Sequence, residues 1–259
     1  MKAILLSAGR GKRLLPITRE IPKCLLPIAG RSVLDWQLWS LEAAGIDEAV
    51  VVTGFGASWV DREIATRPPS RLRIRTRFNP LYDSCDNLVS CLAASDDMNE
   101  NFLLLNGDTL VEPEIVRRLL RSPEVLVSVA VVRKPSYDAD DMKVLSSLGW
   151  LDHIGKGLAV AGVDGEAIGI SLYRGDGPEV FVDALAEVLR EPGGRRRWYL
   201  SAVERLAGRG LVRTTSMNGL GYAEIDRPED LPAADRLVAS WCGHGDESDA
   251  PHRAMAVHR

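Results

Sequence analysis

Between residues 7 and 27 the chain reads Ser-Ala-Gly-Arg-Gly-Lys-Arg-Leu-Leu-Pro-Ile-Thr-Arg-Glu-Ile-Pro-Lys-Cys-Leu-Leu-Pro. Gly9 and Gly11 let backbone amides approach phosphate oxygens closely. Arg10, Lys12, Arg13 and, behind Pro22, Lys23 supply the charge that neutralises a polyanion. The third glycine of the dinucleotide-binding fingerprint is replaced by Leu14, and no Gly-Lys-Ser/Thr triplet makes a P-loop. From Arg10 to Arg31 six basic residues stand against one acid, Glu20, in a chain whose formal net charge is −4. That asymmetry suits a local site for a phosphorylated small molecule and argues against broad nucleic-acid binding. An ordinary exposed basic turn would explain the charges. It would not explain their position after a buried first strand, where open α/β sheets take ligands.

The elements that must hold this loop are legible in outline. Lys2 to Ser7 is apolar without alternation, as a strand covered on both faces should be. Ser32 can cap a helix whose apolar positions Val33, Leu34, Leu38, Leu41 and Ala44 keep helical spacing up to Gly45. A strand over 49–53, a helix near 58–65, a half-exposed strand around Leu72, Ile74 and Thr76, a helix over 86–94 and a buried strand over 102–106 follow. Alternating strands and helices over the first ~110 residues predict an α/β fold with a Rossmann-like, doubly wound sheet. Beyond it, strands are expected at 125–132, around Val144 and His153, and over 168–173, with helices at 178–190 and 200–207. Strands at 211–216 and 221–225 and a helix from Pro228 to about Ala239 complete the reading, which makes the sheet mixed. One domain over residues 1–242 is expected, with a nucleotide-binding half (1–132) and an acceptor-binding half (133–242) that embeds a small substrate lobe. The polar stretch 243–259, with His244, His252 and His258, reads as a mobile tail.

Composition narrows the function further. Hydrophobic residues are 46% and charged residues 26%, with 23 glycines and 14 prolines scattered along the chain, so this is globular and not low-complexity sequence. No apolar run reaches the ~20 residues of a membrane-spanning helix, and the opening segment is too short for a signal peptide. Cys24, Cys85, Cys91 and Cys242 form no Cys-x-x-Cys pair or zinc pattern and read as reduced thiols of a cytoplasmic protein.

The loop closely resembles the signature of the sugar-nucleotidyltransferase-like (GT-A-like) superfamily, Ala-Gly-x-Gly-x-Arg-Leu-x-Pro-x-Thr followed by Pro-Lys-x-Leu-x-Pro, and matches it at every position from Ala8 to Pro27. The resemblance implies a nucleotide lying on Ser7, Ala8, Gly9, Gly11 and Lys12, with Arg13 and Lys23 as the catalytic cations on its phosphates. It also implies two aspartates for Mg2+. Asn106-Gly107-Asp108 matches the first, with Gly107 at the nucleotide, and Glu224-Ile225-Asp226 before Pro228-Glu229-Asp230-Leu231 matches the second. Magnesium prefers hard carboxylate oxygens and accepts one or two from protein, the remainder from phosphate and water. Asp226 could instead merely cap the helix that begins near Pro228. A catalytically silent subunit on the same fold would be expected to lack Lys23 or one aspartate, and all three are present.

Three features resemble the small cytidylyltransferases of the phosphocholine and phosphonate type: the chain length, the stretch Asn79-Pro80-Leu81-Tyr82 with Asp86-Asn87-Leu88-Val89-Ser90-Cys91-Leu92, and the segments Asp141-Met142-Lys143-Val144 and Gly165-Glu166-Ala167-Ile168-Gly169-Ile170. Asn87 and Ser90 share a helix face and could read a base edge, or Asp86 could simply cap that helix. Lys143 would hold an acceptor phosphate or phosphonate, or be a solvated strand lysine. Glu166 would face an acceptor amine or hydroxyl, or steady a local turn. Trp150, Trp198, Tyr199 and Tyr222 could box a cationic headgroup, although aromatics at such spacings commonly pack a core. Where related chains tend to have Tyr-Tyr-Glu-Asp, this one has Trp198-Tyr199-Leu200-Ser201 beside Arg195-Arg196-Arg197, which points to an anionic or neutral acceptor. The resemblance thus implies CTP and a small phosphate- or phosphonate-bearing acceptor as partners, with a hexose 1-phosphate and UTP, dTTP or GTP as the alternative. His153 reads as structural. The sequence admits a homodimer but leaves the oligomeric state open.

Overall fold

A computed structural model describes residues 1–242. The expectation of a mobile tail over 243–259 lies outside the described residues. The centre is a nine-stranded sheet whose strands lie in the order Arg73–Phe78, Glu48–Thr53, Lys2–Leu6, Phe102–Asn106, Gly165–Tyr173, Val127–Val132, Val212–Ser216, Trp150–Gly155, Lys143–Ser147. Its first strands are β1 (Lys2–Leu6), β4 (Glu48–Thr53), β5 (Arg73–Phe78) and β6 (Phe102–Asn106). Between β1 and β4 lie the short hairpin β2 (Pro27–Ile28) and β3 (Arg31–Ser32) and helix α1 (Val33–Ala43). The Ser32 hydroxyl accepts from the Asp35 amide at 3.0 Å, the cap expected from the sequence. Helix α2 (Ala57–Ala65) joins β4 to β5, and α3 (Asn87–Ala93) joins β5 to β6. β1 runs parallel to β4 and β6, and β4 parallel to β5, the doubly wound half that the alternation predicts.

Between Asp108 and Val125, where the sequence analysis specifies no element, the chain forms β7 (Thr109–Val111) and α4 (Pro113–Leu120). Pro113 opens this helix, and Ile115, Val116 and Leu119 bury its inner face. The second half supplies β8 (Val127–Val132), β9 (Lys143–Ser147), β10 (Trp150–Gly155) and β11 (Gly165–Tyr173), then α5 (Gly177–Arg190), α6 (Leu200–Ala207), β12 (Val212–Ser216), β13 (Tyr222–Glu224) and α7 (Leu231–Cys242). β11 is antiparallel to both β6 and β8, so strands from either side of residue 133 interleave in one mixed sheet.

One pairing departs from the simple picture of a final strand pair. β12 joins the large sheet beside β8, whereas β13 leaves it and pairs antiparallel with β7, setting Glu224 opposite Thr109. An apolar cluster of Leu14, Leu26, Ile28, Trp36, Leu110, Ile225 and Val238 packs the basic loop, α1 and α7 around that ribbon. Burial of this cluster therefore fixes the loop and the second aspartate in one body.

Candidate functional site

A cleft of about 660 Å3 opens where β1 and β6 end, bounded by the loop from Ala8 to Arg13, by the residues around α3 and by Asp108 and Asp226. Its floor depends on close backbone approach. A Cβ on Gly107 would lie 2.4 Å from the Leu6 carbonyl oxygen. Gly11 has φ 68°, in the left-handed region, and its carbonyl accepts from the buried Thr18 hydroxyl at 2.7 Å. This tether holds the loop so that Lys23, carried on the 3-10 turn Lys23–Leu25, reaches back across it.

Lys23 is the centre of the charge arrangement. Its Nζ lies 2.8 Å from Asp108 Oδ2 and 2.7 Å from Asp226 Oδ1, and Arg13 Nη2 lies 2.8 Å from the same Asp226 oxygen. The β7–β13 ribbon makes this possible: the Ile225 amide donates to the Asp108 carbonyl at 3.0 Å, which brings two sequence-distant aspartates side by side. Burial alone would lower the Lys23 pKa, but Asp108 and Asp226 outweigh it and hold the ammonium above its usual value. Burial pushes the Asp226 carboxyl up, and Lys23, Arg13 and Lys156 more than offset that, so it stays ionised below the ordinary range. Asp226 does not cap the following turn. Asp230 does so, accepting from the Asp226 and Arg227 amides at 2.8 and 2.7 Å.

Among the described residues no three His, Cys, Asp or Glu side chains converge on a metal-sized site. The donor chemistry nevertheless suits magnesium: two carboxylates share one ammonium, and each keeps about a quarter of its surface open. Two hard oxygens facing a cleft that admits phosphate are what such an ion requires of protein.

The other expected site residues fall into three groups. Ala8, Gly9, Gly11, Lys12, Arg13, Asn87, Ser90 and Gly107 line the cleft together with Lys23 and the aspartates. Asn87 and Ser90 also hold the wall in place: Asn87 Oδ1 accepts from the Tyr199 amide at 2.9 Å, and the Ser90 hydroxyl accepts from Asn79 Nδ2 at 3.1 Å. Asp86 makes no side-chain cap to α3. Ser7 is buried beneath the loop, its amide donating to the Val52 carbonyl at 2.9 Å while its hydroxyl finds no partner.

A second group sits to one side of the cleft wall. The Glu166 carboxylate lies 3.0 Å from Lys134 Nζ and accepts from the Tyr222 hydroxyl at 3.3 Å, while Lys134 also holds Asp141 at 2.7 Å. Burial raises the Glu166 pKa despite Lys134. Burial likewise pushes Glu224 up to about 8, with Asp108, Glu166 and Asp226 adding repulsion. The third group is not at the cleft surface. Tyr199 is 1% exposed, packed edge-on against Phe181 in the core, which corrects the expectation that it touches the acceptor. Nor do these four aromatics form a box: Trp150 lies under Arg213 outside the cleft, and Trp198 lies at the cleft rim under Lys156. Lys143 is neither solvated nor on the cleft surface. It is 2% exposed, and its ammonium donates to the Lys156 carbonyl at 2.8 Å.

Sequence reasoning missed Lys156 and Lys134, and named Glu224 only as part of the motif that carries Asp226. Lys156 carries a local signal, a Gly-Lys-Gly turn after a strand. His153 bonds Glu204 at 2.8 Å on the surface, away from the chemistry. Cys24, Cys85 and Cys91 are free thiols, as expected. No described helix is long and apolar enough to cross a membrane.

Comparison with known proteins places the chain in a family. A family model described as nucleotidyl transferase matches residues 2–139. The chain is 30% identical over 251 residues to a CMP-5'-(3-aminopropyl)phosphonate synthase of Streptomyces rubellomurinus, covering 91% of this chain and 38% of that protein. It is 32% identical over 251 residues to a bifunctional IPC transferase and DIPP synthase of Rubrobacter xylanophilus, covering 95% of this chain and 53% of that one. The chain thus spans about half or less of the length of these relatives. Among solved structures, the inositol-1-phosphate CTP transferase from T. maritima superposes with a TM-score of 0.78 at 20% identity, covering 95% of this chain and 97% of that one. At that identity the likeness speaks for the fold.

Proposed function

We propose, since this chain belongs to the nucleotidyl transferase family, that it transfers CMP from CTP to a small phosphate- or phosphonate-bearing acceptor and releases pyrophosphate. One observation carries the reading: Lys23, Arg13, Asp108 and Asp226 converge at the mouth of β1 and β6 in a cleft of nucleotide size. The relative whose name specifies CMP chemistry supports cytidine as the base.

The triphosphate lies along Gly9 to Arg13, where backbone amides and the Lys12 and Arg13 side chains meet its oxygens. Asp108 and Asp226 would hold magnesium, which supplies charge neutralisation at the phosphates when bound. Lys23 stays protonated between them and donates to the α-phosphate as negative charge builds there. An acceptor oxygen attacks the α-phosphorus in line, the new P–O bond forms, and the bond to the β-phosphate oxygen breaks with its electrons leaving on pyrophosphate. A phosphate or phosphonate oxygen is already anionic at neutral pH, so no general base is required, and among the described residues no histidine lines the cleft. Lys156, stacked over Trp198 at the cleft rim and close enough to Asp226 to lower its pKa, is the cation placed to receive the acceptor's anion.

Pyrophosphate release should be measured with CTP, UTP, ATP and GTP against phosphocholine, 2-aminoethylphosphonate, 2-hydroxyethylphosphonate, inositol 1-phosphate and glucose 1-phosphate. Turnover with CTP and a small phosphate or phosphonate, lost in Asp108→Ala, is the expected outcome. Turnover confined to glucose 1-phosphate with another nucleotide would overturn the cytidylyl reading and leave the family intact.

A further inference from the structure

We infer that Lys143 is a positioning residue: from beneath the turn that follows β10 it fixes Lys156 against Trp198 and so sets the cationic wall that meets the acceptor's anion. The inference rests on the acceptor reading above, to which it adds a residue that never touches substrate.

A strand lysine ordinarily runs its methylenes along the surface and keeps its ammonium in water. Lys143 does the opposite. It is 2% exposed, and among the described residues the one hydrogen bond of its ammonium goes to a neutral carbonyl, that of Lys156, at 2.8 Å. Burying a charge against a single carbonyl is costly, so its placement needs a reason beyond the stability of the strand. The backbone supplies part of the geometry. Lys143 pairs across the β9–β10 ladder with Gly155, which puts its side chain beside the next residue.

The turn it grips has little else to hold it. Gly155 and Gly157 flank Lys156, and a Cβ built on either would meet nothing within 4 Å, so no side-chain packing pins the turn at these positions. Among the described residues, Lys143 provides the side-chain hydrogen bond to it. Two glycines give the backbone wide freedom, and a charge-assisted bond to the central carbonyl removes that freedom at the residue where it matters.

What the turn presents is the Lys156 ammonium, 4.9 Å from the centre of the Trp198 ring. Trp198 is fixed from the nucleotide side: the Asp86 amide donates to the Arg195 carbonyl at 2.9 Å, and the Tyr199 amide donates to Asn87 at 2.9 Å. Lys143, Lys156, Trp198 and α3 therefore form a continuous series of contacts from the acceptor-side hairpin to the nucleotide wall. Removing the first member would leave the cation in place chemically and free it spatially.

The experiment is a double-mutant cycle on the full chain with Lys143→Met, Lys156→Met and both, read as KM for acceptor, KM for CTP, kcat and Trp198 emission, the last assigned by difference from Trp198→Phe. Each single variant should raise acceptor KM by about tenfold or more, leave CTP KM within about twofold, and shift Trp198 emission the same way. The double variant should be no worse than Lys156→Met. Lys143→Arg, which keeps a charged donor, should recover most of the loss. Losses that multiply in the double variant would mean that Lys143 binds the anion itself, and would overturn the inference. A fall in thermal stability with acceptor KM and Trp198 emission unchanged would overturn it equally. Should Lys143→Met fail to fold, Lys143→Gln, which retains a neutral donor, replaces it in the same cycle. If the wild-type chain turns over none of the acceptors while Lys143→Met still shifts Trp198 emission, the function reading fails and the positioning stands.

Discussion

Two lysines in this molecule each stand between two carboxylates, and they are built inside out relative to one another. Lys23 is 13% exposed while its partners Asp108 and Asp226 are 29% and 24% exposed. Lys134 is 31% exposed while its partners Asp141 and Glu166 are 8% and 9% exposed. In the first, a buried cation presents open carboxylates to a cleft, where an incoming ion or phosphate can exchange with it. In the second, sealed carboxylates are neutralised by a cation at the surface, and Asp141 is also tied to the Asp138 amide at 2.9 Å. Contact distances near 2.7–3.0 Å do not separate the two. Which partner faces water does. On the function proposed above the first cluster serves the chemistry, whereas the second pins the connection between β8 and β9.

The largest expected effect falls on the open cluster. Lys23→Met should lower kcat by about 10²–10³-fold, the scale of losing one preorganised donor to developing charge, while far-ultraviolet dichroism stays native. A loss below tenfold in single-turnover assays would erase the distinction between the clusters.

Lys134→Met should behave in the reverse manner. It strands two sealed carboxylates, so stability should fall by about 1–3 kcal/mol, discounted for the partial exposure of the lysine, with a Tm drop of several degrees by calorimetry. CTP binding should be unchanged by titration. Weaker CTP binding with native stability would show that the second cluster belongs to the nucleotide site.

The smallest effect is a pH dependence. Burial pushes the Asp141 carboxyl up, but the hydrogen bonds it accepts from Lys134 and the Asp138 amide, with the Lys134 charge, together outweigh this and hold it below its ordinary value. A depressed carboxyl contributes stability above its unfolded pKa, near 3.8, and loses it as pH falls through the lower folded value. In Asp141→Asn the Tm profile below about pH 4 should therefore flatten relative to wild type. An unaltered acid limb would assign it to other carboxylates.

The nucleotide side was far more legible than the acceptor side. Gly9, Gly11, Arg13 and Lys23 lie in one short loop, and a buried strand before such a loop already says which end of a sheet it occupies. The Ser32 cap and the apolar spacing of α1 were readable for the same reason, because each signal is complete within one turn of chain. Lys143 and Tyr199 were not readable. Their local patterns are compatible with either face of an element, and what opposes them is decided by strands and helices far away in sequence. Lys134 gave no local sign, and Glu224 only its place beside Asp226 in the motif, since a charged residue announces its own function only through its neighbours in space.

By itself the sequence determined the chemistry available at the mouth of the first strand: flexible backbone for phosphate, fixed cations, and two acidic candidates. Those are properties of residue type and short spacing, which no folding event can alter. Only the tertiary structure decided that Asp226 joins Asp108, through the antiparallel pairing of β13 with β7. Only it decided that Lys143 turns inward to a carbonyl while Lys156 faces Trp198. Strand register and burial are collective outcomes of packing the whole sheet and its three apolar clusters, so the partners of a side chain are set by the entire fold.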